Sequence, residues 1–175
     1  MSDNNVICKR PVRTIEHNSV KVLVPIGTGR IPDFPDLGWA AGIIDGEGCI
    51  TIGKSREKHR RTRNPYYALH LIVAANGVTG SMMTKRFQEL FGEYRIEEPP
   101  THETYKRRFR WYCHGWKAIF VLARLYPFLI SKKKEADIAF AFQQLKGTRG
   151  KKTMPEVLEK MEICWQTLKD LHHVI

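Results

Sequence analysis

Two carboxylates stand side by side in the stretch "WAAGIIDGEG", residues 39–48: Asp45 and Glu47, separated by Gly46. Acids so placed can offer oxygen ligands to a hard cation. They can equally decorate a plain turn from a helix into a strand, and a bare DGEG is more often the turn. The glycines raise a second question. Gly38, Gly42 and Gly46 are four apart, so on a helix they share one face. Each costs about 1 kcal/mol relative to alanine in a helix interior. A stripe of three is explained by the close approach of another backbone, most often a second helix.

The cations weigh on the choice. The net charge is +11, and residues 54–63, "KSREKHRRTR", hold six basic groups and one acidic. Residues 99–152 hold thirteen basic groups against three acidic, while the rest of the chain is close to neutral. A charge run is usually a solvated face, but two concentrated basic segments favour a polyanionic partner. Nucleic acid is the first choice. An anionic membrane surface ranks far behind, because no basic amphipathic helix shows hydrophobic anchoring. The longest apolar stretch, 118–130, is too short to span a membrane and carries Arg124. "MSDNNVICKR" has no apolar core, so no secretory signal is expected. Cys8, Cys49, Cys113 and Cys164 show neither CxxC nor zinc spacing. Free thiols in an intracellular reducing compartment, cytoplasm or organelle, are the expectation.

The elements that must position these groups follow from periodicity. Residues 1–34 read as an N-terminal arm with a short strand at "SVKVLV", and Asp36 can cap a helix over 37–46. "GCITIGKSRE" alternates as a half-exposed strand, and "YYALHLIVAAN" (66–76) makes a second, with Leu69, Leu71, Val73 and Ala75 on one face. A helix over 79–92 stops at Gly92. "EYRIEE" and "YKRRFRWYCH" form a second strand pair, the latter placing Lys106, Arg108 and Arg110 on one face at strand spacing. Helices are expected over 116–126, 132–146 and 154–172. In the last, Val157, Met161, Cys164, Leu168 and Leu171 recur as a face packed on its own core. The order α-β-β-α-β-β-α-α-α gives an α+β class. Residues 1–34 form the arm, 35–150 the core, and 151–175 a C-terminal helix packed on it.

"AAGIIDGEG" (40–48) resembles the signature of the LAGLIDADG homing endonucleases at all but its first position, where Ala40 stands for leucine. "LYPFLISKKKEADIAFAF" (125–142) is similar to a later segment of that family, in which a Pro-aromatic-Leu turn precedes a lysine-rich helix start. The intervening element order agrees, so the resemblance covers roughly residues 36–146. It implies an αββαββα core with extra C-terminal helices, whose antiparallel sheet forms a concave DNA-binding face. It also implies an answer to the glycine stripe. Two such helices pack through their small residues, with Gly38, Gly42 and Gly46 as the dimer interface, and each delivers its last acid to a shared centre. One motif in 175 residues implies a homodimer, hence a pseudo-palindromic double-stranded DNA site.

By the same resemblance Glu47 is the metal-binding and catalytic acid, with the Gly46 carbonyl as a second oxygen ligand. The metal is Mg²⁺, with Mn²⁺ or Ca²⁺ as other divalent cations suited to the site. Asp45 caps or hydrogen-bonds at the helix junction. Lys132 falls at the active-site lysine, able to stabilise a pentavalent phosphate or orient water. Asn76 is a weaker choice for positioning water, since Asn-Gly is also an ordinary turn. Thr51, Gly53, Ser55, His70, Ile72, Ala74, Lys106, Arg108 and Arg110 are candidates for groove contacts. Arg56, Lys58, Arg60, Arg61 and Arg63 would neutralise phosphates. His70 and His114 on their own are more often structural than chemical. The implied function is site-specific DNA cleavage. Behind it stand a non-cleaving module on the same fold, such as an intron-RNA maturase or a DNA-binding regulator, and a basic RNA-binding structural protein unrelated to the family.

Overall fold

The computed structural model describes residues 12–17, 20–25, 33–55, 65–100, 102, 104–146 and 154–173. At the N-terminal side, β1 (Val12–His17) and β2 (Val20–Pro25) pair as an antiparallel hairpin. The strand expected at "SVKVLV" therefore has a partner that periodicity had not shown.

Helix α1 (Phe34–Glu47) starts three residues earlier than the sequence reading placed it. Asp33, not Asp36, is the N-cap: its carboxylate accepts the Asp36 N–H at 3.0 Å. Pro35 sits in the first turn, where a missing N–H costs nothing. Asp36 instead lies buried and pairs with Arg86 at 2.5 Å. Ala40, Ala41 and Ile44 are the buried side of this helix.

Strands β3 (Gly48–Ser55) and β4 (Tyr66–Asn76) form a long antiparallel pair, in which Thr51 stands opposite His70. Helix α2 (Gly77–Phe91) follows directly, stopped by Gly92 at φ 70°, a left-handed conformation that glycine adopts without strain. Strands β5 (Tyr94–Glu98) and β6 (Arg108–His114) complete a four-stranded sheet of order β3-β4-β6-β5. Then come α3 (Trp116–Leu125), a 3-10 turn over Tyr126–Phe128, α4 (Lys133–Leu145) and α5 (Pro155–His173). The mixed α+β class and the α-β-β-α-β-β-α order are as the sequence implied.

One expectation fails here. Lys106 is not on a strand with Arg108 and Arg110, because β6 begins at Arg108. Its partners end there: Asn76 closes β4 and Glu98 closes β5 opposite that residue. The chain before it turns away to close α2, and the Arg107 carbonyl accepts the Gly77 N–H at 2.8 Å.

The helices cover one face of the sheet. Ile50 and Ile52 of β3, Tyr67, Leu69, Leu71 and Val73 of β4, and Phe109, Trp111 and Cys113 of β6 turn inward and are buried. Trp111 packs on Phe87 with ring centres 5.0 Å apart, and its indole N–H donates to the Gly92 carbonyl at 2.7 Å. Lys54 shares the inward side but ends on helix α5, where its ammonium meets Glu162 at 2.5 Å and lies over the Trp165 ring. Tyr67 also donates to Glu162. The last helix is thus held by a polar clamp as well as by buried Met161 and Leu168.

Two glycines on neighbouring helices make a direct test of this packing. A Cβ at Gly80 would lie 2.4 Å from the Ala75 carbonyl oxygen, whereas a Cβ at Gly42 would meet no described atom within 4 Å. Gly80→Ala should cost about 1–3 kcal/mol by overpacking. Gly42→Ala should leave the isolated chain as stable or raise its stability by up to about 1 kcal/mol. Urea unfolding of the two variants, monitored by circular dichroism at low protein concentration, checks the contrast.

Candidate nucleic-acid interface and active centre

The face of the sheet away from the helices carries the half-exposed set that alternation singles out: Thr51, Gly53, His70, Ile72, Ala74 and Arg110, with Ser55 and Arg108 exposed at its ends. Pairing arranges them in rows. Thr51, His70 and His114 form one row, and Ile72, Tyr112 and Tyr94 the next. Ala74, Arg110 and Ile96 follow, and then Asn76, Arg108 and Glu98. Tyr94 stacks on Tyr112 at 5.3 Å and on His114 at 6.4 Å. That aromatic run escaped the sequence reading because Tyr94 sits on an edge strand too short to show alternation. Burial pulls the His70 pKa down, and the charges of His114 and Lys146 pull the same way. Arg56, Lys58, Arg60, Arg61 and Arg63 lie outside the described residues.

At one end of this face, helix α1 terminates in Asp45, Gly46 and Glu47. A helix C-terminus carries a partial negative charge, so acids there are disfavoured, and no basic residue stands in the last turn of α1. The two acids meet this cost differently. Asp45 is saturated with donors: the Ile130 N–H at 2.7 Å, the Ser131 hydroxyl at 3.0 Å and the Lys132 N–H at 2.9 Å. Its own carbonyl accepts from the Lys132 ammonium at 3.0 Å. Burial raises the Asp45 pKa, but the Ile130, Lys132 and Ser131 donors outweigh it and hold the carboxyl below the ordinary 3.8.

Glu47 has no ion pair or hydrogen bond of its side chain to the described residues. It is exposed and lines a cleft of about 590 Å³ together with Ile43, Ala74, Ala75, Asn76, Thr79, Met83 and Arg108. Asn76 occupies the N-cap position of α2 without bonding a backbone N–H there, so its amide stays available to the cleft. The structure therefore brings Glu47, Asn76 and Arg108 together. Lys132 is not among the residues lining this cleft. It stands half-buried where α4 begins, tied to Asp45, and its charge is felt at the Cys49 thiol, whose pKa burial raises and Lys132 lowers. Lys106 lines an adjoining depression of about 640 Å³ that shares Asn76 and Arg108 with the first.

A metal ion fits this donor set in one way. No group of three His, Cys, Asp or Glu side chains clusters among the described residues. One carboxylate without a partner among the described residues, at the end of a helix, suits Mg²⁺, which keeps several waters and needs one or two acids. The glycine stripe is open: a Cβ at Gly38, Gly42 or Gly46 would meet no described atom within 4 Å. Within one chain, no described backbone makes the close approach that such a stripe calls for.

No protein-family model matches the sequence, and no curated protein sequence matches it. Solved structures do match the fold. The homing endonuclease I-CvuI, in complex with the I-CreI target, superposes with a TM-score of 0.65 at 17% identity over 79% of this chain and 85% of that one. The archaeal intron-encoded homing endonuclease I-Vdi141I, complexed with DNA, gives 0.62 at 13% identity over 77% and 82%. The I-LtrWI LAGLIDADG homing endonuclease, bound to target DNA, gives 0.56 at 14% identity over 82% of this chain but only 48% of its own. The chain has the fold of LAGLIDADG homing endonucleases.

Asp45→Asn should destabilise the protein by about 1–2 kcal/mol at neutral pH, since the amide replaces a charged acceptor and turns a donor toward N–H groups. The sign with pH follows from the lowered pKa. The contribution of Asp45 is complete well above 3.8 and fades as pH falls through its folded-state pKa. Unfolding free energies of wild type and variant, measured from neutral pH downward, should converge in acid.

Proposed function

We propose that this chain is a site-specific, divalent-metal-dependent double-strand DNA endonuclease that acts as a homodimer. One observation carries the reading: on a fold shared with homing endonucleases, Glu47 stands at the end of α1 without a partner among the described residues, in a cleft with Asn76 and Arg108. An unpaired acid at the negative end of a helix is a site that wants a cation.

Glu47 and the Gly46 carbonyl would hold a Mg²⁺ ion, which when bound supplies Lewis acidity and an activated water. Asn76 directs an amide into the same cleft and can orient the attacking water. Asp45 holds the segment Ile130–Lys132 against the helix end, and so fixes where the Lys132 ammonium stands. From there it can lend positive charge to the phosphate as negative charge builds up. Thr51, Ser55, His70, Arg110 and Lys106 face or flank the sheet surface on which a duplex would lie, and the basic segment 56–63 would add phosphate contacts.

The homodimer rests on the open stripe. Phe34 and Ile130, at the two ends of α1, are 77% and 87% exposed, so the glycine face is bordered by apolar groups that water does not favour. I-LtrWI, of which 48% is covered by 82% of this chain, is about 1.7 times as long. A second copy would supply the missing half.

Glu47→Gln should abolish Mg²⁺-dependent nicking of a plasmid library while leaving DNA binding in Ca²⁺ nearly unchanged. Wild-type-like cutting by this variant would refute the assignment. A wild type that binds but never cuts would favour the maturase or regulator instead.

Gly42→Leu should leave the fold intact, because the position opens on space, yet convert dimer to monomer in sedimentation velocity. An unchanged, active dimer would show that the stripe is not the contact face.

A further inference from the structure

The cations of the sheet divide into those already engaged and those that are not. Arg110 pairs with Glu98, Arg107 with Glu97, and Lys54 with Glu162. Arg95 donates to Ser81 and Thr84 and lies 5.0 Å from the Phe109 ring centre. Arg108 has no ion pair among the described residues. The reason is local. Its cross-strand neighbour Glu98 gives its carboxylate to Arg110, one step along the same face, and its other neighbour is the neutral Asn76.

Arg108 is also the residue that, with Asn76, lines both depressions at this end of the sheet, the one holding Glu47 and the one holding Lys106. A guanidinium offers a planar fork of N–H donors that matches two phosphate oxygens at once. The Lys132 ammonium is already bonded to the Asp45 carbonyl and does not line the cleft.

We propose that Arg108 is a catalytic residue that grips the phosphate being cleaved, rather than a reader of bases. The inference rests on the endonuclease reading. In the step concerned, a water oxygen bonds to phosphorus while the bond from phosphorus to the leaving sugar oxygen breaks. The leaving oxygen takes a proton from solvent and the attacking water gives one up, so Arg108 neither gains nor loses a proton. Its part is to hold two non-bridging oxygens beside the Glu47 carboxylate and to offset the charge that accumulates on them. Lys106, in the adjoining depression, is placed for the next phosphate along the same strand.

The test uses the full-length protein and a duplex recovered from a randomised library by wild-type cleavage in Mg²⁺. Two synthetic versions of that duplex are compared, one with a natural phosphate at the cut position and one with an uncharged methylphosphonate there. Arg108→Ala should lower the single-turnover cleavage rate by about 10²–10³-fold, with Arg108→Lys recovering part of it. In Ca²⁺, Arg108→Ala should bind the natural duplex several-fold more weakly than wild type. On the methylphosphonate duplex the two proteins should bind equally, because the charge that Arg108 contacts is gone. A binding penalty of the same size on both duplexes, or cleavage by Arg108→Ala at close to the wild-type rate, overturns the assignment while the endonuclease reading stands. If the wild type yields no cleaved duplex at all, the endonuclease reading falls and this assignment with it.

Discussion

The place where α1 ends, and with it the acid of the candidate centre, depends on one carboxylate. Asp45 accepts from the backbone of Ile130 and Lys132 and from the Ser131 hydroxyl, and so joins the end of α1 to a segment some 85 residues later. Charge-assisted hydrogen bonds of this kind are about twice as strong as neutral ones. They are needed here, because an acid at a helix C-terminus faces the negative end of the dipole. The lock fixes the start of α4 as well, since Lys132 is its N-cap residue and supplies its carbonyl to the Ala136 N–H. With both helices tied at this point, Gly46 and Glu47 follow at a set place beside the first residues of β3.

The same economy of charge runs through the sheet. Most of its arginines and lysines are spent on the fold: Lys54 clamps α5, Arg95 braces α2 against β5, and Arg110 takes Glu98. Surface ion pairs of this sort contribute little to stability, about 0–1 kcal/mol each. Their larger consequence is to decide which charges stay uncommitted. Two that do, Glu47 and Arg108, have opposite sign, line one cleft and yet do not pair with each other. A cleft that holds these two charges apart has room for a cation against one and an anion against the other. A metal and a phosphate answer that description.

Much of the architecture was legible in the chain because its physical signals are local. The alternation of Leu69, Leu71, Val73 and Ala75 marked β4 to the residue, and Gly92 marked the end of α2. The start of α1 was misplaced because Asp33 and Asp36 are both competent caps, and only the ion pair from Asp36 to Arg86, fifty residues away, separates them. Lys106 was misread for a related reason. Alternation continues through "YKRRFR", but a strand lasts only as long as its neighbours, and both end opposite Arg108. The role of Asp45 was foreseen in outline from the junction it occupies. The meeting of Arg108 with Glu47 could not be read from spacing, since it comes from the pairing of β4 with β6.

The glycine stripe shows what a single chain leaves unfinished. Three glycines at about 1 kcal/mol each weaken α1 on a face where alanine would fit without contact. Nothing among the described residues repays that cost, although proteins stand only about 5–15 kcal/mol above unfolding. Within the homodimer proposed above, the repayment comes from backbone-to-backbone packing that any Cβ would hold apart. Such packing brings together two helix ends that each carry an unpaired Glu47, and like charges at short range oppose one another. Divalent cations at such a junction would remove that opposition. The feature that makes α1 a poor helix alone would then be the feature that lets the two acids of the proposed dimer approach one another. Association and metal binding would be two parts of one equilibrium, with Asp45 holding each half in register.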